Sequence, residues 1–533
     1  MNNEKQKFLP WRRWGVLGII MLGTFMAILD ANIVNVAMPH MMSSFGVDRN
    51  KIEWVATGFM LTSASIMPFM GWVTCRINYK IIYLGCLGIF TIASGLCAFA
   101  WNYESLVAAR ILQALGGGAI QPIGMSIVAE LFEPHERGKA LGIWGMGIMV
   151  APAIGPTLGG YLTDEFGWRS IFSINLPIGI LTLLLGFFWM WPIHARTGRR
   201  PFDIAGYFFL VMFLVGSLTA LSNGQEKGWD SDYIRICEAF ATIGIVMFIS
   251  IELAVKHPIL NLNLFLIRNY CLSVLLSVFR AVGLFGSVFL FPLFLQLVMG
   301  YTPIQAGMWM MPNAIAVGVM MPVAGRLADK YSPKILTIIG SIAVGSSLIV
   351  FGNLDPMSQW PILVLPQIVR GIGLALLLSP LLAAALNAVP RDELPMASSF
   401  LNVSQNIGGA LGIALLNNHL TEAIHFHAVR LGEALPPQSA ECYRLAFKAA
   451  AIKVYRSPGM LADVTMKTVL TAEKMIYRNA QVLGFNNSFF FGGLILLACI
   501  PLCFLLKPAA HHVAGKSDAK MEIETENQIA LSE

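Results

Sequence analysis

Apolar stretches of about twenty residues recur along the whole chain. A helix needs roughly 20 consecutive apolar residues to cross the hydrocarbon core of a bilayer. No stretch alternates in the way a lipid-facing barrel strand does, so the pattern predicts an all-α integral membrane protein. We expect fourteen spans, at residues 14–38, 54–74, 81–101, 105–132, 140–163, 171–192, 204–223, 236–255, 271–299, 306–326, 335–353, 361–388, 397–418 and 484–506.

Composition excludes a soluble protein. Of the 533 residues, 56% are hydrophobic and only 12% are charged, whereas soluble domains carry about 25% charged residues. The net charge of +6 does not indicate a nucleic-acid partner, because Lys and Arg accumulate in the cytoplasmic loops of membrane proteins. The eight cysteines are scattered without the paired spacing of a zinc site. We therefore expect neither a metal nor a cofactor.

The basic residues of the short loops lie mostly on one side of the expected membrane. Thirteen fall on that side and five on the other. Because this basic side also carries the N-terminal segment 1–13, both termini are predicted to be cytoplasmic, with residues 507–533 as a disordered tail. The basic side holds Arg76, Lys80, Arg137, Lys139, Arg196, Arg199, Arg200, Lys256, Arg268, Arg326, Lys330, Lys334 and Arg391, and the opposite side holds Arg49, Lys51, Arg169, Lys227 and Arg235.

One expected outer loop, 419–483, is much longer than the others. Its second part is rich in helix formers and predicts an extramembrane helix, either in a hairpin or as an extension of the last span. His425 and His427 are two positions apart and do not share a helix face. The histidines of this loop therefore do not predict a metal site.

The chain also contains a weak internal repeat. The segment GWVTCRINYK at 71–80 resembles GRLADKYSPK at 325–334, and RILQALGGGAIQP at 110–122 resembles RGIGLALLLSP at 370–380. Both pairs are offset by eight expected spans. The repeat predicts two six-helix bundles, at 14–192 and 261–506, separated by two extra helices within 193–260. Two similar halves around a central site are typical of transporters.

Four ionisable residues lie well inside expected spans. They are Asp30, Arg110, Arg280 and Arg370. Ionisable groups are costly inside a membrane and are candidate functional residues for that reason. The polar residues Gln113, Asn313 and Gln405 also fall within spans, where they either line a cavity or hold helices together.

Asp30 and Arg110 are expected at similar depths. Asp30 follows Trp14 by sixteen residues, which places it about 24 Å along the first helix at about 1.5 Å per residue. Arg110 stands near the outer start of its own span. One interpretation is a carboxylate that gains and loses a proton during transport. The other is a permanent ion pair that only stabilises the bundle.

The fifth expected span contains the segment GIMVAPAIGPTLGG at 147–160. Small residues allow two helices to approach closely, and proline removes a backbone hydrogen bond. The segment predicts a helix that bends or slides, although ordinary close packing would use the same residues. Glycines 116–118 do not form a phosphate-binding motif, since GxxxxGK[ST] is absent. Direct use of ATP is therefore not expected.

These motifs together resemble the major facilitator superfamily, in particular its fourteen-span drug:proton antiporters of the EmrB/QacA type. LDANIVNVAMP at 29–39 resembles the first-span motif LDxTIVNVALP, and RILQALGGGAIQP resembles the fourth-span motif that begins RxxQGxG. The segment at 147–160 resembles the antiporter motif that ends GPxxGG. GRLADKYSPK resembles the cytoplasmic-loop motif GxLADRxGRK, whereas its first copy has Cys75 in the place of the aspartate.

The resemblance implies proton-driven export of hydrophobic or amphipathic compounds across a bacterial inner membrane by alternating access. Asp30, Arg110 and Gln113 would couple protons or bind substrate. The antiporter hinge would be formed by Gly147, Pro152, Gly155, Pro156, Gly159 and Gly160, and the cytoplasmic gating loop by Gly325, Arg326, Asp329 and Lys330. Resemblance to EmrB-like members also implies a periplasmic adaptor and an outer-membrane channel as partners.

Three alternatives differ in function. The first keeps the fold but exports one metabolite, fatty acid or siderophore, or handles lipid. The second is a receptor or scaffold that no longer transports, which the intact segment 147–160 and the retained Asp30 disfavour. The third is a membrane enzyme, and no set of nucleophile, base and metal ligands supports it.

Overall fold

The computed structural model describes residues 10–47, 49–192, 201–255, 258–358, 360–434 and 461–506. Within these ranges the chain is helical, with no strand. The expectations for residues 1–9, for Arg196, Arg199, Arg200 and Lys256, and for the tail 507–533 fall outside the described residues, as does the middle of the long outer loop.

The helices are connected mostly by short turns. In chain order they are α1 (Pro10–Phe45), α2 (Arg49–Ile52), α3 (Trp54–Val73), α4 (Tyr79–Ala98), α5 (Tyr103–Leu131), α6 (Arg137–Phe166), α7 (Ser170–Ser173), α8 (Asn175–Trp189), α9 (Ile204–Lys227), α10 (Asp232–Ala254), α11 (Arg268–Leu297), α12 (Pro303–Lys330), α13 (Pro333–Phe351), α14 (Trp360–Asn387), α15 (Leu394–Ala434), α16 (Leu461–Leu497) and α17 (Ile500–Phe504), with single 3₁₀ turns at Leu262–Leu266 and Arg391–Glu393.

Local sequence signals set several helix starts. Asn102 caps α5, because its side chain accepts a hydrogen bond from Ser105 N at 2.7 Å while Ser105 Oγ accepts one from Asn102 N. Thr302 and Gln305 form the same reciprocal arrangement at the start of α12, with Pro303 in the first turn. Such caps satisfy backbone N–H groups that have no partner inside the helix.

A helix occupies each of the fourteen expected positions. Among the described residues, eleven helices are long and apolar enough to cross a membrane, or twelve if α6, which bends, counts as one span. The other two are α3 and α15. Both are long enough, and they pack against each other between the halves. Fourteen spans and cytoplasmic termini therefore stay predictions.

Large apolar side chains cover much of the outer surface. Ile92, Phe188, Leu253 and Val319 are each at least two-thirds exposed. A water-soluble monomer rarely exposes so much contiguous apolar surface, whereas a bilayer requires it. The surface and the run of apolar helices identify a multi-pass membrane protein.

The packing of the helices follows the internal repeat. In the first half α1 packs on α6, α3 on α5 and α4 on α5. In the second half α11 packs on α15, α12 on α14 and α13 on α14. Each pair in one half therefore has its counterpart eight helix positions later in the chain. The two halves meet along two seams that are also counterparts, α6 with α12 and α3 with α15.

The helices α9 and α10 form a pair that lies outside both halves. Helix α9 contacts α3 of the first half and α15 of the second, and Tyr207 Oη donates a hydrogen bond to Ser65 O at 3.2 Å. Leu210, Leu214 and Phe248 of the pair are buried in one cluster with Met67. The pair thus covers the α3–α15 seam.

The expected outer loop 419–483 is largely helical where it is described. Helix α15 continues to Ala434 and α16 begins at Leu461, so both helices extend beyond the span ends expected at 418 and 484, and α16 takes the form of an extension of the last span. The extended ends pack together: His419 stacks on Phe491 with ring centroids 4.6 Å apart, and His427 lies 2.9 Å from Asn487 Nδ2. The bilayer thickness limits only the apolar part of a helix, not its whole length.

Candidate functional site

Asp30 lies on α1 at the centre of a buried hydrogen-bond cluster. Its carboxylate accepts hydrogen bonds from Arg110 Nη1 at 2.5 Å, from Gln113 Nε2 at 3.0 Å and from Asn175 Nδ2 at 2.6 Å. All four residues are at most 1% exposed. Three helices, α1, α5 and α8, therefore meet at one carboxylate.

Arg110 is held by more than the carboxylate. Its Nε donates to Val55 O of α3 at 3.2 Å, and its guanidinium lies 4.2 Å from the ring centroid of Phe59 and 5.5 Å from that of Phe172. A cation over an aromatic face is stabilised by the ring quadrupole. Arg110 is thus fixed in place by backbone and rings as well as by Asp30.

Gln113 connects the ion pair to α4. Its Oε1 accepts from Arg110 Nη1 at 2.6 Å, and its Nε2 donates to Ser94 Oγ at 2.7 Å as well as to Asp30. Only this orientation of the amide avoids placing two N–H donors against each other. Arg110 and Gln113 lie three positions apart on α5, on one helix face.

Asn175 was missed from the sequence. It stands at the first position of α8, where the chain turns after α7. Its Nδ2 donates to Asp30, while its Oδ1 is buried and has no partner among the described residues. The available signal was an uncharged amide near the start of an otherwise apolar stretch.

The cluster is built for an ionised carboxylate, since the contacts to its two oxygens are all N–H donors. If Asp30 takes up a proton, its contact with Arg110 Nη1 weakens, because the carboxyl group no longer carries the negative charge that pairs with the guanidinium. A change in the charge of Asp30 is therefore linked to the packing of α1 against α5 and α8.

The segment at 147–160 packs against α1, the helix that carries Asp30. A methyl group added at Gly147 would lie 3.0 Å from Met21 Cγ, and one added at Gly155 would lie 3.2 Å from Asn32 Cβ. At Gly159 the corresponding distance is 2.6 Å to Ile33 Cγ1. The glycines let α6 approach α1 directly beside Asp30.

The same segment contains a bend in α6. Its two parts, Arg137–Pro152 and Thr157–Phe166, differ in direction by 50°. Pro152 and Pro156 flank this change of direction, and each lacks the N–H that a straight helix would use. Gly160 is buried on the second part.

Asp329 joins the two halves at the basic end, by which we mean the ends of helices that carry the basic loops. Its carboxylate accepts hydrogen bonds from Gly138 N at 2.7 Å and from Lys139 N at 2.8 Å. These are the first N–H groups of α6, where the helix dipole also favours a negative charge. Asp329 of one half thus caps a helix of the other.

The predicted gating loop is not a loop. Gly325, Arg326, Asp329 and Lys330 all belong to the last turns of α12, which ends at Lys330. Gly325 is buried against α6, where an added methyl group would lie 2.8 Å from Lys139 Cα, whereas Arg326 and Lys330 are exposed. The prediction of a loop was wrong because the capped helix continues past the apolar stretch.

Further contacts across the basic end were not predicted. Arg137 donates to Asn387 Oδ1 at 2.7 Å and to Leu386 O at 3.2 Å. Ser126 and Ser398 are hydrogen-bonded to each other through their hydroxyls. These side chains hold the halves together at the basic end.

The first copy of the loop motif lacks this arrangement. Cys75 stands where the pattern has an aspartate, and its thiol donates to Gly71 O of its own helix at 3.3 Å. Gly71 itself allows a close approach to α15, since an added methyl group would lie 2.8 Å from Ser399 Oγ. Both seams are closely packed, and the α6–α12 seam has the Asp329 carboxylate in addition.

The two arginines of the second half have amide partners. Arg370, the counterpart of Arg110, donates to Gln367 Oε1 at 2.6 Å and to Asn313 Oδ1 at 3.4 Å. Arg280 donates to Gln405 Oε1 at 2.7 Å. The structure does not bring either arginine to Asp30.

Comparisons with known proteins agree with this fold. A model of the Major Facilitator Superfamily matches residues 20–415. The multidrug export protein EmrB of Escherichia coli (strain K12) is 28% identical over 95% of this chain and 98% of its own length. The multidrug transporter protein MdtP of Bacillus subtilis (strain 168) is 32% identical over 75% of this chain and 74% of its own. The structure of the proton:xylose symporter XylE shares the fold, with a TM-score of 0.55 and 14% identity over 78% of this chain and 91% of that one.

Proposed function

The chain belongs to the Major Facilitator Superfamily, and on that premise we propose that it is a proton-driven efflux antiporter of the bacterial cytoplasmic membrane. It exports hydrophobic or amphipathic compounds by alternating access. The names of the relatives EmrB and MdtP describe multidrug export or transport, which supports this substrate class. The expected adaptor and outer-membrane channel remain predictions.

The observation that carries the proposal is the position of Asp30. Asp30 lies on α1, and its buried carboxylate contacts α5 and α8. The glycines of α6 pack on α1 within a few residues of Asp30. A group in this position gains or loses a proton only as its helices rearrange. Proton binding and conformational change are therefore one event.

Export follows from the order of these changes. With the basic end closed, as described here, a proton that enters from the opposite end neutralises Asp30 and releases one of its N–H donors. The halves then reorient and open the basic end, where the proton leaves and substrate enters. The ionised carboxylate draws its donors back and favours the closed basic end again. Each turnover thus exchanges protons for substrate.

The test is substrate efflux in everted membrane vesicles under an imposed proton gradient. The wild-type protein is compared with Asp30→Asn, and a panel of hydrophobic dyes and drugs serves as substrate. Asp164→Asn is the matched control, because Asp164 is 55% exposed at the far end of α6. We expect gradient-driven efflux to fall to background in Asp30→Asn and to stay unchanged in the control.

Two outcomes would contradict the proposal. Unchanged gradient-driven efflux in Asp30→Asn would remove Asp30 from proton coupling. Absence of efflux for every compound of the panel, with the wild-type protein present and folded, would favour an exporter dedicated to one metabolite.

A further inference from the structure

The two halves differ in how they neutralise buried arginines. In the first half the guanidinium of Arg110 contacts the carboxylate of Asp30. In the second half Arg280 and Arg370 are 2% and 0% exposed, and neither forms an ion pair with a described Asp or Glu. A buried charge without a counter-charge is strongly unfavourable. The second half therefore lacks negative charge that something else must supply.

Arg280 is the less satisfied of the two. One of its nitrogens, Nη2, donates to Gln405 Oε1, but Nε and Nη1 are buried and have no partner among the described residues. Nε–H and the hydrogens of Nη1 point to different sides of the planar guanidinium, so one acceptor can satisfy Nη1 but not both nitrogens. A buried donor that has no hydrogen-bond acceptor lowers the stability of the folded protein by about 1–3 kcal/mol, and by more if the group is charged.

A small cavity lies beside the same guanidinium. It lies among α11, α13, α14, α16 and α17 and is partly open, and its wall includes Thr337, Ser341, Leu381 and Cys503 next to Arg280. The space is enough for about one water molecule or an ion of similar size. Its wall thus combines one cation, two hydroxyl groups and apolar side chains.

We propose that this cavity binds a single monovalent anionic group against Arg280. Two sources share this chemistry: a free ion of halide size, and the carboxylate of an amphipathic substrate. The anion supplies the missing counter-charge and accepts the hydrogen bond that Nη1 can donate. The site is separate from the Asp30 cluster and does not depend on the proposed proton coupling.

Arg370 provides the comparison within the same half. Its Nη1 is also without a partner, but two side-chain amides accept from its other nitrogens, and the rings of Phe291 and Phe351 lie 6.0 Å from its guanidinium. It does not line the cavity. Arg370→Gln therefore removes a buried cation of the same half without altering the proposed site.

The experiment measures thermal unfolding of the purified full chain in nanodiscs of neutral lipid. Tryptophan fluorescence is followed while sodium chloride replaces sodium gluconate at constant ionic strength, and in a second series while sodium decanoate is added. The variants are Arg280→Gln, Arg280→Lys and Arg370→Gln. A ligand that binds only the folded state raises Tm in a saturable way.

For the wild-type protein we expect Tm to rise with chloride or decanoate and then to saturate. Arg280→Gln should lose this rise, and in gluconate alone it should unfold at a higher temperature than wild type, because an uncompensated charge has been removed. Arg280→Lys keeps the charge without the planar fork, so its affinity should be about tenfold weaker. Arg370→Gln should keep the wild-type response.

The chloride and decanoate series also distinguish a free ion from a substrate carboxylate as the source of the bound anion. A response to chloride alone identifies a free ion, and a response to decanoate that chloride competes away identifies a carboxylate. The proposal is overturned if wild type responds to neither anion, or if both Arg280 variants respond as wild type does. If Arg280→Gln does not fold, Arg280→Lys still decides between these outcomes.

Discussion

Removal of the Asp329 carboxylate should open the basic end. Asp329 accepts two hydrogen bonds from the first turn of α6, at 2.7 and 2.8 Å from Gly138 N and Lys139 N. The contact crosses between the halves and can exist only while the basic end is closed. The free energy that this contact contributes therefore stabilises only the state with a closed basic end. Loss of the contact shifts the ratio of open to closed molecules.

The size of the shift follows from two contributions. A side chain that caps a helix N-terminus contributes about 0.5–2 kcal/mol, and a negative charge near the dipole adds about 0.3–1 kcal/mol. Asp329→Ala loses both, about 2 kcal/mol, which is about thirtyfold in the ratio of open to closed. Asp329→Asn keeps one acceptor oxygen but loses the charge. This loss is about 1 kcal/mol, which raises the ratio of open to closed about fivefold.

Labelling of a buried cysteine can measure this ratio. Ser398 is 0% exposed and lies between the halves, so a Ser398→Cys thiol reacts with a maleimide only when the basic end opens. The measurement uses a protein whose native cysteines have been replaced, in everted vesicles that expose the basic end. Labelling should be about fivefold faster with Asp329→Asn and about thirtyfold faster with Asp329→Ala.

A control position distinguishes opening of the basic end from destabilisation of the whole protein. Ser347 is 2% exposed within the second half and bonds only to its own helix, so labelling of Ser347→Cys should not change. Equal Ser398→Cys rates in wild type and both Asp329 variants would refute the reasoning. A parallel increase at Ser347→Cys would show that the substitutions destabilise the whole fold.

Two further predictions concern the seam and the Asp30 cluster. Gly142→Ala would place a methyl group 2.6 Å from Met321 O, so it should also speed the labelling of Ser398→Cys, whereas Gly88→Ala, which has no atom within 4 Å, should not. Asn175→Ala removes one donor to the Asp30 carboxylate and the contact between α1 and α8 that it makes. Gradient-driven efflux in everted vesicles should fall severalfold, since a hydrogen bond to a charged group contributes about 1.5–3 kcal/mol, and unchanged efflux would exclude Asn175 from the coupling.

The sequence predicted the helices well because the bilayer imposes a simple length rule. It did not predict how far each helix continues beyond the apolar part, because that rule describes only the apolar part. One example is α15, which continues to Ala434, past the span end expected at residue 418. Another is the supposed gating loop, which is the end of α12. In both cases the extension is polar and packs against neighbouring protein.

For the candidate site, the sequence indicated how deep each residue lies in the membrane but not the direction in which its side chain points. Counting residues placed Asp30 and Arg110 at the same level, and the structure brings them into contact. Which way each side chain points around its helix depends on tertiary packing, so the contact itself could not be predicted. The partners of Asp329 are backbone N–H groups, which leave no trace in the sequence of α6. Asn175 stands near the start of its span, and its direction toward Asp30 follows from the turn between α7 and α8, which the sequence pattern did not predict.

The bend in α6 limits how the two halves can swing. Helix α12 touches α6 on both sides of the bend, at Gly325 near one end and at Gly307 beside Thr157 near the other. The two segments of α6 differ in direction by 50°, and each has its own contact with α12. The molecule can therefore open at one end by breaking the contact on that side of the bend, while the contact on the other side stays in place.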